Sequence, residues 1–258
     1  MSESDSIIYG PVPSWRLGRS LGIDPVSTEK KTCSFDCIYC QLGRTVNRLE
    51  DRKEFVSLER FTEELTSAKG VEADYATFSG MAEPTLASNL GEAIQLVKSI
   101  LNLPVAVLTN SSTMPRPDAR RDIAQADVVV AKVDAPNEQL FQTISRPVGS
   151  LSLDQIIHGL KEFRRTFKGK LALQMMFMEA NREYADDMAR LALELSPDEI
   201  QLNTPLRPCA VKPLSPEEMV SVKKAFADFG GQLTMVYDIE KPTVTPIKAG
   251  ETRRRRPE

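Results

Sequence analysis

Three cysteines within eight residues, Cys33, Cys37 and Cys40, stand in a C-x3-C-x2-C arrangement inside Thr32-Cys33-Ser34-Phe35-Asp36-Cys37-Ile38-Tyr39-Cys40. Thiols so close in sequence converge only if the chain loops tightly around a common centre. Soft thiolate donors suit an iron–sulfur cluster or zinc. Structural zinc normally takes four ligands, yet the only histidine, His158, and the only other cysteine, Cys209, are far away in the chain. A four-iron cluster held by three cysteines instead leaves one iron open to a ligand, which is a catalytic feature. On spacing alone, a zinc knuckle or plain buried thiols remain the alternative.

Polar residues recur where apolar runs end. Ser79-Gly80-Met81-Ala82-Glu83-Pro84-Thr85 offers a glycine that lets backbone approach a ligand, and the Glu83 carboxylate to accept hydrogen bonds from an ammonium. Thr109-Asn110-Ser111-Ser112 places four hydrogen-bonding side chains in a row; a turn or helix cap is their ordinary use. Lys132 and Asp134 lie in the apolar run DVVVAKVDAP, where charges must face a polar cavity or find partners. Lys132 is placed to meet a carboxylate, and Asp134 to orient it or contact substrate. A direct ion pair between them is not expected, although residues two apart share a strand face. Arg207 has the planar fork of donors that holds anions. Met175, Met176 and Met178 read as adaptable core filling. Trp15, His158 and Cys209 are left outside the site.

The elements that must position these groups are short apolar runs alternating with helix-length patterns. Strands are expected near 18–24, 75–79, 104–109, 127–133, 170–178, 199–204 and 232–237. Their continuous rather than alternating hydrophobicity suits a parallel sheet buried on both faces. Leu90, Ile94, Val97 and Leu101 make one helical stripe, and Ile156, Leu160, Phe163 and Phe167 another. Ser152 with Gln155 predicts a capping box, and Ser215-Pro216 predicts a helix start. The pattern predicts an α/β fold, a partial parallel (βα)6-like barrel, with an open doubly wound sheet as the alternative. Residues 1–240 are expected as one domain, and 241–258 as a flexible tail whose Arg253–Arg256 block is solvated. The net charge of −3 gives no overall field to draw nucleic acid. No apolar run reaches the roughly 20 residues of a membrane span, and the opening MSESDS lacks a signal-peptide layout. A cytoplasmic, reducing location follows, in which cysteines serve as thiolate ligands rather than disulfides.

The cysteine spacing, with an aromatic residue immediately before the third cysteine, resembles the signature of the radical S-adenosylmethionine (SAM) superfamily. The resemblance implies a [4Fe–4S] cluster on Cys33, Cys37 and Cys40, whose open iron binds the amino and carboxylate groups of SAM. One electron then cleaves the sulfonium, and a 5′-deoxyadenosyl radical removes hydrogen from substrate. It also implies that Tyr39 lies near the adenine and that the Gly80–Glu83 segment grips the SAM amino group. Met81-Ala82 departs from the usual glycine content there. Thr109, Asn110 and Ser112 fall where ribose and carboxylate are contacted, Arg146 where SAM or substrate is contacted, and Leu202 and Asn203 where adenine is contacted. The segments YGPVP, SLGI, EPT, LTNSS and LNTPxRP look like a stand-alone group akin to the tRNA wyosine-synthase branch, although the cysteines for a second cluster are missing. Implied partners are a flavodoxin- or ferredoxin-like electron donor and an unidentified small-molecule or peptide substrate. A tRNA or nucleotide substrate is the alternative, and a non-catalytic metal-binding protein is a reading from another class.

Overall fold

A computed structural model describes residues 6–257; the opening residues 1–5, part of the segment expected to lack a signal-peptide layout, lie outside them. The chain runs β1 (Ile8–Ser14), β2 (Gly18–Ile23), β3 (Thr32–Cys33), β4 (Asn47–Arg48), α1 (Leu58–Ser67), β5 (Tyr75–Phe78) and α2 (Leu90–Leu101). It continues through β6 (Val105–Thr109), α3 (Pro117–Ile123), β7 (Val128–Lys132), α4 (Glu138–Ile144), α5 (Leu153–Thr166), β8 (Lys170–Met176) and α6 (Ala185–Leu195). The last elements are β9 (Glu199–Asn203), α7 (Pro216–Lys224), β10 (Gln232–Met235) and α8 (Ala249–Arg255). One eight-stranded sheet has the order β1-β2-β5-β6-β7-β8-β9-β10. Only the β1–β2 pair is antiparallel. Helical returns between the other strands bring each one back in the same direction, and the sheet curls into the expected partial barrel.

Register decides which side chains face the cavity. In parallel pairing, partners share a face. Val107, Val129 and Leu171 form one such row, turned toward the helices; it joins Ile94, Leu160 and Phe163 in the main core. Each fully buried side chain of this kind contributes about 1.5–3 kcal/mol. The alternate row, Ala106 with Val128, and Val130 with Ala172, packs with Leu17 in a smaller apolar cluster. That cluster floors the concave side. Both helix starts are as expected: Ser152 and Gln155 form a reciprocal capping box, as do Ser215 and Glu218 behind Pro216.

Two features differ from expectation. Residues 8–14, with prolines at 11 and 13, form β1. Proline lacks a donor and is confined to edge strands, and β1 is an edge. The segment 241–258, expected as a flexible solvated tail, instead carries α8, which is tied to β1. Ile247 N–H donates to Gly10 O (2.7 Å), and Gly10 N–H to Thr252 Oγ1 (2.9 Å). Arg253 is exposed, whereas Arg255 is fully buried, because its guanidinium meets Asp24 at 2.9 Å and also Glu251. Among the described residues no helix is long and apolar enough to cross a membrane.

Candidate active site

A cavity of about 410 Å³ opens on the concave face, large enough for a small organic ligand. Cys33, Cys37, Cys40, Tyr39, Gly80, Glu83, Thr109, Asn110, Lys132 and Asn203 all line it. The cysteine loop is fixed by main-chain bonds: Asp36 N–H to Ser145 O (3.0 Å), Ile38 N–H to Ile144 O (3.0 Å) and Val148 N–H to Ser34 O (2.9 Å). Thr45 closes it, its N–H donating to Asp36 Oδ1 (2.7 Å) and its hydroxyl to Phe35 O (2.6 Å).

Glu83 is buried, and its two oxygens differ. Oε1 accepts from Thr85 N–H (3.1 Å), Thr85 Oγ1 (2.6 Å) and Thr109 Oγ1 (2.7 Å), whereas among the described residues Oε2 accepts only Asn110 N–H (2.7 Å). Burial raises its pKa against those bonds. Asn110 Nδ2 donates to Ser34 Oγ (3.0 Å) and makes a longer contact with Cys33 Sγ (3.5 Å). The preceding Gly80 has φ +152°, and a Cβ there would fall 2.3 Å from Asp24 Cγ; only glycine fits this turn.

Tyr39 is buried with its hydroxyl donating to Asp134, and it accepts from Lys132 Nζ at 2.7 Å. Burial, reinforced by the Asp134 charge, holds its pKa well above the ordinary value. Lys132 lies 4.4 Å from the centre of the Tyr39 ring and 3.8 Å from Asp134. The two charges, not expected to pair, thus form a loose pair with the phenol bridging them.

Four expected site residues stand outside the cavity lining. Asp134 lies behind Tyr39, where it also accepts Met176 N–H (2.8 Å). The Ser112 hydroxyl is bonded to that of Ser34 (2.6 Å), bracing the cysteine loop from behind. Arg146 is exposed with φ +49°, and its carbonyl accepts Asp36 N–H (3.2 Å). Leu202 turns into the helix–sheet core, because its neighbour Asn203 takes the inward face. His158 is exposed, and Cys209 is half-buried beside Tyr39 and Met176. Conversely, Trp15, Arg16, Lys241, Arg255 and Arg256 line the cavity without having been expected. A cation beside the chain's only tryptophan was the one signal available for the first two.

The donor set can be tested against the group it would hold. The cysteines are free thiols, and among the described residues no three Cys, His, Asp or Glu side chains close around a single ion. All three clustered cysteines line the same cavity, a soft sulfur donor set that fits an iron–sulfur centre. Burial pushes Cys33 up to about 11 and Cys37 to about 12. The charge of a bound metal centre would reverse that preference and hold them as thiolates.

Residues 31–192 match the Radical SAM superfamily. The chain is 38% identical over 231 residues to the UPF0026 protein MJ1312 of Methanocaldococcus jannaschii, covering 87% of this chain and 71% of that one. It is 38% identical over 218 residues to the UPF0026 protein slr1464 of Synechocystis sp., with 84% and 81% covered. Its fold is similar to Streptococcus suis SuiB bound to S-adenosylmethionine, with a TM-score of 0.65 and 13% identity over 85% of this chain and 50% of that one. The chain thus spans about half of that solved protein. With the cysteine motif inside the matched region and the half-barrel around it, the chain belongs to the radical SAM superfamily and is a radical SAM enzyme.

Proposed function

We propose that Cys33, Cys37 and Cys40 hold a [4Fe–4S] cluster and that SAM occupies the adjoining cavity. The observation that carries this is the joining of Cys33, Ser34 and Glu83 through Asn110 on one cavity wall. When bound, such a cluster supplies one electron to the SAM sulfonium, and the resulting 5′-deoxyadenosyl radical removes hydrogen from substrate. The protein's share is positioning and exclusion of water. Glu83 Oε2, with a single protein donor, has capacity left to accept from the SAM ammonium. Gly80 admits the ligand to the backbone, Thr109 fixes Glu83, and Asn110 orients the Cys33 side of the loop. Tyr39 and Asn203 flank the adenine, and Lys132 faces a carboxylate. Ser112 and Asp134 act as positioning residues, through Ser34 and Tyr39. Arg146 contributes through its backbone bond to the cysteine loop, and Leu202 through its hold on β9.

The electron comes from a flavodoxin- or ferredoxin-like donor in a reducing cytoplasm, and the substrate is a small molecule or peptide. Anaerobic reconstitution with iron and sulfide, then dithionite and SAM, is expected to yield 5′-deoxyadenosine and methionine. Cys37→Ala is expected to lose iron and product together, and Cys209→Ala neither. A wild-type protein with an intact cluster and no 5′-deoxyadenosine overturns the reading.

A further inference from the structure

The cavity lining is rich in cations. Glu83 is the one carboxylate among its described lining residues, against Arg16, Arg207 and Lys241 among the lining cations. Arg16 rises from the β1–β2 turn beside the apolar floor. Its Nη1 donates to Gln174 Oε1 on β8 (2.8 Å), and its guanidinium lies 4.9 Å from the centre of the Trp15 ring. Its Nε is buried and has no hydrogen-bond partner among the described residues. A sealed guanidinium donor without an acceptor is costly, and the Nε–Nη2 edge is the fork that takes an oxyanion in two parallel bonds.

The one unpaired buried oxygen nearby among the described residues, Gln201 Oε1 in register with Gln174, is neutral and brings no countercharge. Glu199, on the same inner face, is committed to Lys170 Nζ (2.7 Å) and Thr234 Oγ1 (3.1 Å). Arg207 reaches Gln41 Oε1 (2.6 Å). Burial, then the nearby charge of Arg207, brings the Arg16 pKa down to about 10. Two like charges drawn together in a half-enclosed cavity are relieved by an anion between them.

We propose that the substrate carries an oxyanion, a phosphate or a carboxylate, which docks on the Nε edge of Arg16 with Arg207 alongside. Calling this oxyanion the substrate's rests on the SAM reading above; the anion site itself does not.

Trp15 is the only tryptophan and stacks on Arg16, so its emission reports a ligand there. The reconstituted, SAM-saturated protein is titrated with inorganic phosphate and, separately, with acetate, at ionic strength held constant with chloride. A saturable change is expected. Saturation by phosphate alone identifies a phosphorylated substrate, and saturation by acetate a carboxylate one. Arg16→Gln is expected to bind at least about tenfold more weakly, the size of one charge-assisted hydrogen bond. Arg16→Lys, which keeps the charge without the fork, falls between; circular dichroism checks that both variants fold. No saturable change with either anion, or an unchanged dissociation constant in Arg16→Gln, overturns the proposal. So does displacement of SAM in step with anion binding, which would assign the fork to SAM. Anion binding without 5′-deoxyadenosine formation would refute the radical reading and leave the anion site standing; the converse would remove only the anion site.

Discussion

Replacing Arg255 by alanine tests whether the C-terminal segment is part of the site. Its guanidinium donates to Asp24 Oδ2 (2.9 Å), to Glu251, to Ser6 O (2.9 Å) and to Ser27 Oγ (3.0 Å). The three charged side chains are 0%, 1% and 4% exposed. Truncation therefore leaves Asp24 buried without its cation and Glu251 with only its longer pair to Arg254 (3.5 Å), a loss of about 3–5 kcal/mol. With an unfolding entropy of about 2 cal/mol/K per residue, the 258-residue chain is expected to melt about 6–9 °C lower. A second effect reaches the cavity, because Asp24 Oδ2 also accepts Met81 N–H (3.0 Å) and packs where a Gly80 side chain would be. Loosening Asp24 loosens that turn, so SAM affinity should fall severalfold. Scanning calorimetry and a SAM-binding titration on anaerobic protein measure both. Arg253→Ala, at an exposed position, is the control and should melt within about 1 °C of wild type. Adding Asp24→Asn to Arg255→Ala should recover part of the loss, since the pair is coupled. An Arg255→Ala protein that melts within about 2 °C of wild type, with unchanged SAM binding, would mean that the segment is a solvated tail after all.

Two further outcomes follow from local geometry. Asn110→Ala removes an amide donor from beside Cys33 Sγ, and hydrogen bonds to cluster sulfur raise its potential. Loss of about 1 kcal/mol lowers a one-electron potential by about 40 mV; redox titration showing no negative shift refutes the contact's role. Asp118 is raised by burial but lowered further by its bonds to Arg52 (2.8 Å) and Arg116 (3.3 Å), to about 2 from an ordinary 3.8. Asp122, on the same Arg52, goes up instead because it is more deeply buried. A depressed folded pKa means that the Asp118 contribution is complete above about pH 4 and disappears as pH falls toward about 2. Asp118→Asn should therefore melt about 2 °C below wild type at pH 6, a small gap because Asp118 is 41% exposed. The gap should narrow as pH drops below 4; a constant gap from pH 6 to pH 3 contradicts the assignment.

The extent to which the site was legible in the sequence follows from period and distance. Strand existence was legible because buried parallel strands are continuous apolar runs, and residues 105–109 and 128–132 both form strands inside the expected spans. Faces were not, since a continuous run hides the period of two that assigns them. Leu202 and Asn203 were taken together, yet adjacent strand residues point oppositely, and pairing of Met176 with Asn203 puts only the second on the inner row. Ser112 and Asp134 were near the right place but one contact back, bracing Ser34 and Tyr39. Such relays join residues 78 and 95 positions apart, and no local pattern marks them. The same holds at the chain's end. Four consecutive arginines look alike as a block, and what singles out Arg255 is Asp24, 231 positions earlier. The segment it anchors also covers the proline-bearing edge strand, where α8 accepts the Gly10 N–H, so the edge is not left open for pairing. The half-barrel therefore leaves its cavity open while the β1 edge beside it is covered, and Asp24 links that cover to the Gly80 turn.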